Sequence, residues 1–169
     1  FNFVAGEIGH MLVQKNGPMC SCGKKGCFEA LASRTAIVNN IINDVKKGKK
    51  KSVLSKLIKS NQRIKSGALK NAIERKDKVV TKRITEACET IGDILGSIAN
   101  LMNFDMIVLG GGLIEALGDF MMPIIRKEFK NHVLDAVAKG IKIIPSKLAD
   151  DAAIYGGLAL VDEFLGVKV

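Results

Sequence analysis

Residues 6 to 29 concentrate the side chains able to do chemistry. Gly6-Glu7-Ile8-Gly9-His10 is followed by Cys20-Ser21-Cys22-Gly23-Lys24-Lys25-Gly26-Cys27-Phe28-Glu29, so three of the four cysteines and one of the two histidines share one stretch. The C-x-C-x4-C spacing is that of metal ligands or of disulfide partners. Disulfides fit poorly: Cys20 and Cys22 are too close along the chain to bridge without strain, and three clustered thiols leave one unpaired. His10 offers a fourth ligand. Cys3His is a closed tetrahedral set for zinc, with Zn–S near ~2.3 Å and Zn–N near ~2.0 Å. Gly23 and Gly26 suit a backbone folded tightly around a metal, where positive φ is often needed. Lys24 and Lys25 offset the single negative charge that three thiolates leave on a divalent ion. The alternative is three ordinary buried cysteines; the density of ligands weighs against it.

The elements that must hold this stretch follow from periodicity. Met11-Leu12-Val13 reads as a short strand before a turn at Asn16-Gly17-Pro18. A helix is predicted from near Cys27, past Ser33, to the Lys/Gly run at 46–51, with Leu31, Ile37, Val38, Ile41, Ile42 and Val45 at helical spacing. Shorter helices fit 52–60 and, capped by Ser66, a segment through Ile73. The longest element is predicted over 77–102, with Asp77 as N-cap and a wide apolar stripe from Val80 to Met102. Cys88 lies on that stripe and reads as a small core hydrophobe. Met106-Ile107-Val108-Leu109 has the all-apolar character of a buried parallel strand. It runs into Gly110-Gly111-Gly112 and a helix over 113–130, in which Pro123 marks a candidate break. Ile141–Ile144, closed by Pro145, is the next strand. Asp150 is then expected to cap a last helix to about Leu165, apolar on more than one side. A strand-helix-strand-helix ending implies the α/β class, with a helical insert at 28–102.

The chain has 169 residues, 47% of them apolar and 25% charged, enough for one domain with its own core. No apolar run reaches the ~18 residues that span a bilayer. Residues 1 to 9 lack the basic head and apolar body of a secretory signal, and free-looking cysteines favour a reducing cytoplasm. The net charge is +9, its excess concentrated in residues 46–83. Such a density could attract nucleic acid, but that segment has no aromatic side chains to stack on bases. A solvated helical face is the expected role, with neither a nucleic-acid partner nor a membrane expected for this chain. The chain opens Phe1-Asn2-Phe3, only a few residues before a candidate site, and is expected to be a C-terminal piece of a longer protein.

Strand, glycines and helix N-terminus form the physical recipe for holding a phosphate or nucleotide, because unpaired N–H groups and a partial positive charge face the ligand. The turn at Gly110 to Gly112 is neither a P-loop nor G-x-G-x-x-G. Taken by itself it fits a nucleotide site or a bare tight turn equally well.

Together, Gly6-Glu7-Ile8-Gly9-His10, the Cys20-x-Cys22-Gly23-x-x-Gly26-Cys27-x-Glu29 motif and Ile107-Val108-Leu109-Gly110-Gly111-Gly112 resemble the C-terminal part of the ROK family. That family comprises bacterial sugar kinases and related sugar-sensing repressors. Asp150-Asp151-Ala152-Ala153-x-x-Gly156 resembles its last helix. The resemblance runs the length of the chain, although residues 46–76 are generic. It implies the C-terminal part of an actin-like (ribonuclease H-like) ATPase fold, two-lobed, with the sugar in the cleft. Residues 1–150 would form a sugar- and zinc-binding lobe, and 151–169 a terminal helix packing on the absent N-terminal lobe.

By motif match, Glu7, His10 and Glu29 would contact the hydroxyls of a hexose or N-acetylhexosamine. Structural zinc would be held by His10, Cys20, Cys22 and Cys27. His10 would serve twice, one ring nitrogen on zinc and the other toward the sugar. Gly110, Gly111 and Gly112 would lie beside ATP, accompanied by Mg2+, and a homodimer is implied. The family's D-x-G-x-T phosphate motif and its N-D-x-N segment, whose Asp is the general base, do not occur in this sequence. No catalytic residue is therefore expected here. Removing a general base typically costs ~10²- to 10⁴-fold in rate, so the chain alone is expected to be inactive. The rival reading is the effector-sensing domain of a ROK-type transcriptional repressor. A third is a structural zinc domain that binds no sugar.

Overall fold

The computed structural model describes residues 6–148 and 151–166. The predicted cap at Asp150 lies outside them.

The frame is one long helix laid against another. Helix α5 (Lys78–Met102) starts at Asp77, whose side chain accepts from Val79 N at 2.9 Å and Val80 N at 3.2 Å. The same carboxylate accepts from Ser52 Oγ and Val53 N, both at 2.7 Å. Burial by itself would raise the Asp77 carboxyl, but these four hydrogen bonds outweigh it and hold it below its usual value. The predicted stripe is buried over most of its length, where Val80, Ile84, Ala87, Cys88, Leu95 and Ala99 line the core, but its end is not: Leu101 and Met102 are exposed. Helix α6 (Gly112–His132) presents Leu117, Met121, Ile125 and Phe129 to it. Pro123 sits inside α6 without ending it, so the expected break is absent.

Two glycines set the separation of this pair. A Cβ on Gly92 would lie 2.6 Å from Glu128 Cβ and 2.9 Å from the Ile125 carbonyl oxygen. A Cβ on Gly96 would lie 2.8 Å from His132 Cβ. The helices therefore meet almost backbone to backbone at these positions.

Strands β1 (Met106–Leu109) and β2 (Lys142–Pro145) pair in parallel, with Ile107 opposite Ile143. Ile107 and Leu109 pack on the helices, while Met106 and Val108 are about half exposed, at 49% and 55%. The sheet is thus covered on one face, not on both as its apolar sequence led one to expect. A short helix, α7 (Asp135–Ala138), precedes β2.

Upstream, the expected single helix from Cys27 is two helices, α1 (Phe28–Ala32) and α2 (Arg34–Lys46). Ser33 has ψ of 156° and its side chain accepts from Ala36 N, so it caps α2 and breaks the run. Helix α3 (Ser55–Lys59) is shorter than predicted. Helix α4 (Ser66–Glu74) has Ser66 inside it and Lys65 at the cap. The predicted strand at Met11–Val13 reduces to a bridge between Leu12 and Cys27. The basic side chains of 46–83 face solvent, apart from half-buried Arg83. Helix α8 (Ala152–Leu165) is exposed throughout, Ile154, Leu160 and Phe164 included. Among the described residues, no helix is long and apolar enough to cross a membrane.

One buried charge ties α2 to α5. Asp44 follows Ile37 and Ile41 on the inward face of α2 and accepts a two-pronged pair from Arg83 (Nε and Nη2, both 2.9 Å). Lys50 Nζ adds a third contact at 2.9 Å. The Arg83 guanidinium, helped by Lys50 against the cost of burial, brings the Asp44 carboxyl down to about 2 from its ordinary 3.8. A depressed carboxylate contributes stability above its unfolded value and loses it as pH falls through the folded one. Thermal stability should therefore decline as pH is lowered from 5 toward 2, and Arg83→Met should flatten that limb of a calorimetric pH series. In urea denaturation, Gly92→Ala should cost about 1–3 kcal/mol from overpacking. Gly67→Ala in α4, where a Cβ meets nothing within 4 Å, should instead be neutral or stabilising, by up to about 1 kcal/mol.

Candidate metal and ligand site

The cysteine stretch folds on two bridges, Leu12 with Cys27 and Met19 with Lys25. Gly26 sits at their centre with φ +79°, its carbonyl accepting from Val13 N and Gln14 N and its own N–H reaching Pro18 O at 2.8 Å. A Cβ there would stand 1.8 Å from the Gln14 carbonyl oxygen, so only glycine fits. Gly23, at φ +83°, closes the other turn through an N–H to Cys20 O. A 3-10 turn over Ile8–His10, with His10 N bonded to Glu7 O, swings the imidazole back over the cysteines.

Sγ of Cys20, Cys22 and Cys27 and a ring nitrogen of His10 all lie within 4.8 Å of one another. Cys22 Sγ to Cys27 Sγ is 3.6 Å, and Cys20 Sγ to His10 Nδ1 is 3.6 Å. A tetrahedron built on zinc bond lengths has S···S edges of about 3.8 Å and N···S edges of about 3.5 Å. The donor set fits a four-coordinate ion, and all four cysteines are free. The Lys24 N–H, with its ammonium adding a smaller pull, lowers the Cys22 thiol below its usual value. Burial and the neighbouring thiols push Cys27 up to about 11. An incoming cation must displace the Cys27 proton, so occupancy falls with acidity.

The three residues expected to bind sugar meet around the same imidazole. Glu7 Oε2 lies 3.6 Å from His10 Nε2, and Glu29 Oε2 lies 3.8 Å from His10 Nδ1. Ser21 Oγ donates to Glu29 Oε2 at 3.4 Å. Glu29 occupies the first turn of α1, where the helix dipole favours a carboxylate. A cavity of about 360 Å³ opens beside it, lined by Cys20, Ser21, Glu29, Ser33 and Asn39; Glu7 and His10 stand outside that cavity. Ser21, Ser33 and Asn39 carry no motif that singles them out in the sequence. Only their proximity to Glu29 in space does so.

At the other candidate site Gly111 caps α6 with φ +93° and no side-chain cap bond, leaving the first-turn N–H groups of α6 without a capping side chain. Gly110 lies close under Ser146: a Cβ added to the glycine would stand 3.3 Å from the serine Cβ. Glu115 places a negative charge in that first turn, which opposes a phosphate there. A cavity of about 450 Å³ follows along α6, lined by Lys70, Glu115, Asp119, Arg126 and Ser146. It shares no lining residue with the one beside Glu29.

The family model described as "ROK family" matches residues 2–163. The chain belongs to the ROK family. It is 26% identical over 163 residues to a glucokinase of Thermotoga maritima, covering 96% of this chain and 51% of that protein. It is 30% identical over 156 residues to the DNA-binding transcriptional dual regulator NagC of Escherichia coli, covering 92% of this chain and 36% of the relative. A ROK family glucokinase from Streptomyces griseus, solved with glucose and AMPPNP, superposes with a TM-score of 0.74 at 22% identity, over 92% of this chain and 51% of that one. This ROK chain therefore has the mixed α/β fold of the family's actin-like sugar kinases, here with a small parallel sheet. It spans about half the length of the glucokinase and about a third of the regulator.

Chain purified without chelator should carry one metal ion in this cluster, removed together with ordered structure over residues 6–29 by Cys22→Ser. Elemental analysis paired with hydrogen exchange checks both; well under one ion per chain would refute the ligand assignment.

Proposed function

We propose that this chain is the sugar- and zinc-binding C-terminal portion of a ROK-type ATP-dependent hexose kinase, which transfers the γ-phosphoryl of ATP to a sugar hydroxyl. The observation that carries this reading is the meeting of Glu7, His10 and Glu29 around one imidazole, with His10 Nδ1 on the thiol side and Nε2 on the Glu7 side.

The chemistry follows from the donors. His10, Cys20, Cys22 and Cys27 would hold zinc with no open position, which makes the ion structural. Coordination through Nδ1 fixes the imidazole as the Nε2–H tautomer, a preorganised donor to a sugar oxygen. Glu7 and Glu29 accept from hydroxyls, and a hexose or N-acetylhexosamine lacking a matched hydroxyl leaves a carboxylate unpaired and is rejected. ATP with Mg2+ would approach the glycines at 110–112, whose uncapped helix start supports a nucleotide neighbour despite Glu115. The base and the phosphate cradle would come from chain beyond these residues. So would the cover for α8 and for the exposed face of β1, consistent with residues 151–169 docking on another lobe. We infer a cytoplasmic homodimer, the free thiols supporting the reducing compartment.

The similarity to NagC supports a second reading, the effector-sensing domain of a ROK-type repressor, in which the same pocket reports sugar to a DNA-binding segment. Turnover separates the two in the whole protein.

Calorimetry of the zinc-loaded chain against a panel of hexoses and N-acetylhexosamines should find one binder. Glu29→Gln should weaken it by about 10- to 100-fold, the worth of a hydrogen bond to a charged group. No heat with any sugar, from chain that circular dichroism shows to be folded, would leave a purely structural zinc domain. The isolated chain should not phosphorylate the binder above a Glu7→Ala control.

A further inference from the structure

The second place where metal-ligating side chains converge lies on the α5–α6 contact. Glu128 and His132 are one turn apart on α6 and stand over Gly92 and Gly96 respectively; Asp93 flanks them from α5. The two glycines bring the helices close enough for side chains of both to share one point. His132 Nδ1 lies 3.0 Å from Asp93 Oδ1 and 3.8 Å from Glu128 Oε1, and the three ligand atoms all fall within 4.8 Å of one another.

The hydrogen bonding at this point is incomplete. His132 Nδ1 is bonded at 3.1 Å to the Glu128 backbone carbonyl, which can only accept, so a proton on that nitrogen is directed there. Asp93 Oδ1 is then buried with no hydrogen-bond donor. Asn131 serves only the other Glu128 oxygen, Oε2, at 3.1 Å. Among the described residues, no lysine or arginine pairs with Asp93 or Glu128. Two carboxylates, a carbonyl and an imidazole thus face one spot that no described lysine or arginine reaches. Such a convergence of acceptors favours a cation.

We propose that Asp93, Glu128 and His132 form a second divalent-metal site, independent of the cysteine cluster. Its mixed nitrogen and oxygen donors suit a borderline ion such as zinc, cobalt or nickel. With metal–ligand bonds near ~2.1 Å, adjacent donors stand about 3.0 Å apart in octahedral geometry and about 3.4 Å apart in tetrahedral geometry. The shorter observed separation falls at the first of these, and the longer closes by a rotamer adjustment of Glu128. Asp93 and His132 are each about two-fifths exposed, at 42% and 43%, so water can complete the shell. An ion held here staples α5 to α6. It would take the place of a proton on His132, its competing occupant, and the Glu128 carbonyl keeps its helical bond.

Cobalt titration of the chelator-stripped, reduced chain tests this. Wild type should take two equivalents. One should show the thiolate charge-transfer absorption of the cysteine cluster, and the other should lack it. His132→Gln and Asp93→Asn should each lose the second equivalent and keep the first. In the wild-type chain, zinc added after the cysteine cluster is filled should shift the His132 ring resonances. A single cobalt equivalent that carries the thiolate absorption, a second one kept by both variants, or unmoved His132 resonances would overturn the site. Loss of the thiolate-bound equivalent alone would instead count against the cluster.

Discussion

Residues 6–26 have almost no hydrophobic core of their own; among them only Cys20 and Gly26 are buried. A segment that buries so little apolar surface cannot offset its conformational entropy by packing. On the proposed reading its order depends on bonds converging on one point, and the four donors within 4.8 Å of one another would supply that point. Structural zinc contributes ~10–16 kcal/mol of apparent binding free energy in small domains, on the scale of a whole domain's stability. Gly26 is the covalent condition for this, since any side chain there would collide with the Gln14 carbonyl before the thiols could close. If the cluster holds zinc as proposed, the metal and the ligand groups become one device, because His10 would belong to both.

Much of this was legible beforehand. The expected His10, Cys20, Cys22 and Cys27 do converge, Asp77 starts α5 where predicted, and both strands of the sheet fall within a residue of their expected places. The failures have physical causes. Ser33 breaks a periodic run because a serine can cap as readily as continue a helix, and periodicity does not record which. Asp44 is hidden among inward-facing residues because its partner, Arg83, is remote in sequence. Gly92 and Gly96 look like weak points of a helix until α6 is laid on them. The exposed face of β1 was unreadable because an all-apolar strand tells that both faces are meant to be covered, not by which chain.

That uncovered surface agrees with the comparisons. The chain spans about half of a glucokinase, and α8 and β1 present apolar side chains that nothing among the described residues covers. The two candidate sites also stand apart, with separate cavities beside Glu29 and along α6. Phosphoryl transfer depends on positioning two substrates against each other. On the proposed reading, half of a two-lobed kinase would hold each group in place and still lack the means to bring them together. A sensor would need only the first of these abilities, so the same residues are compatible with either proposed role.

In the proposed site His10 binds metal through Nδ1 while Nε2–H faces the ligand side with Glu7. Long-range proton–nitrogen correlation spectra of the zinc-loaded chain, with ring nitrogens labelled, measure this directly. A metal-coordinated Nδ1 and a protonated Nε2 are expected for His10, with the Nδ1 signal reverting on chelation. Coordination through Nε2, or a His10 ring that does not respond to zinc, would contradict it.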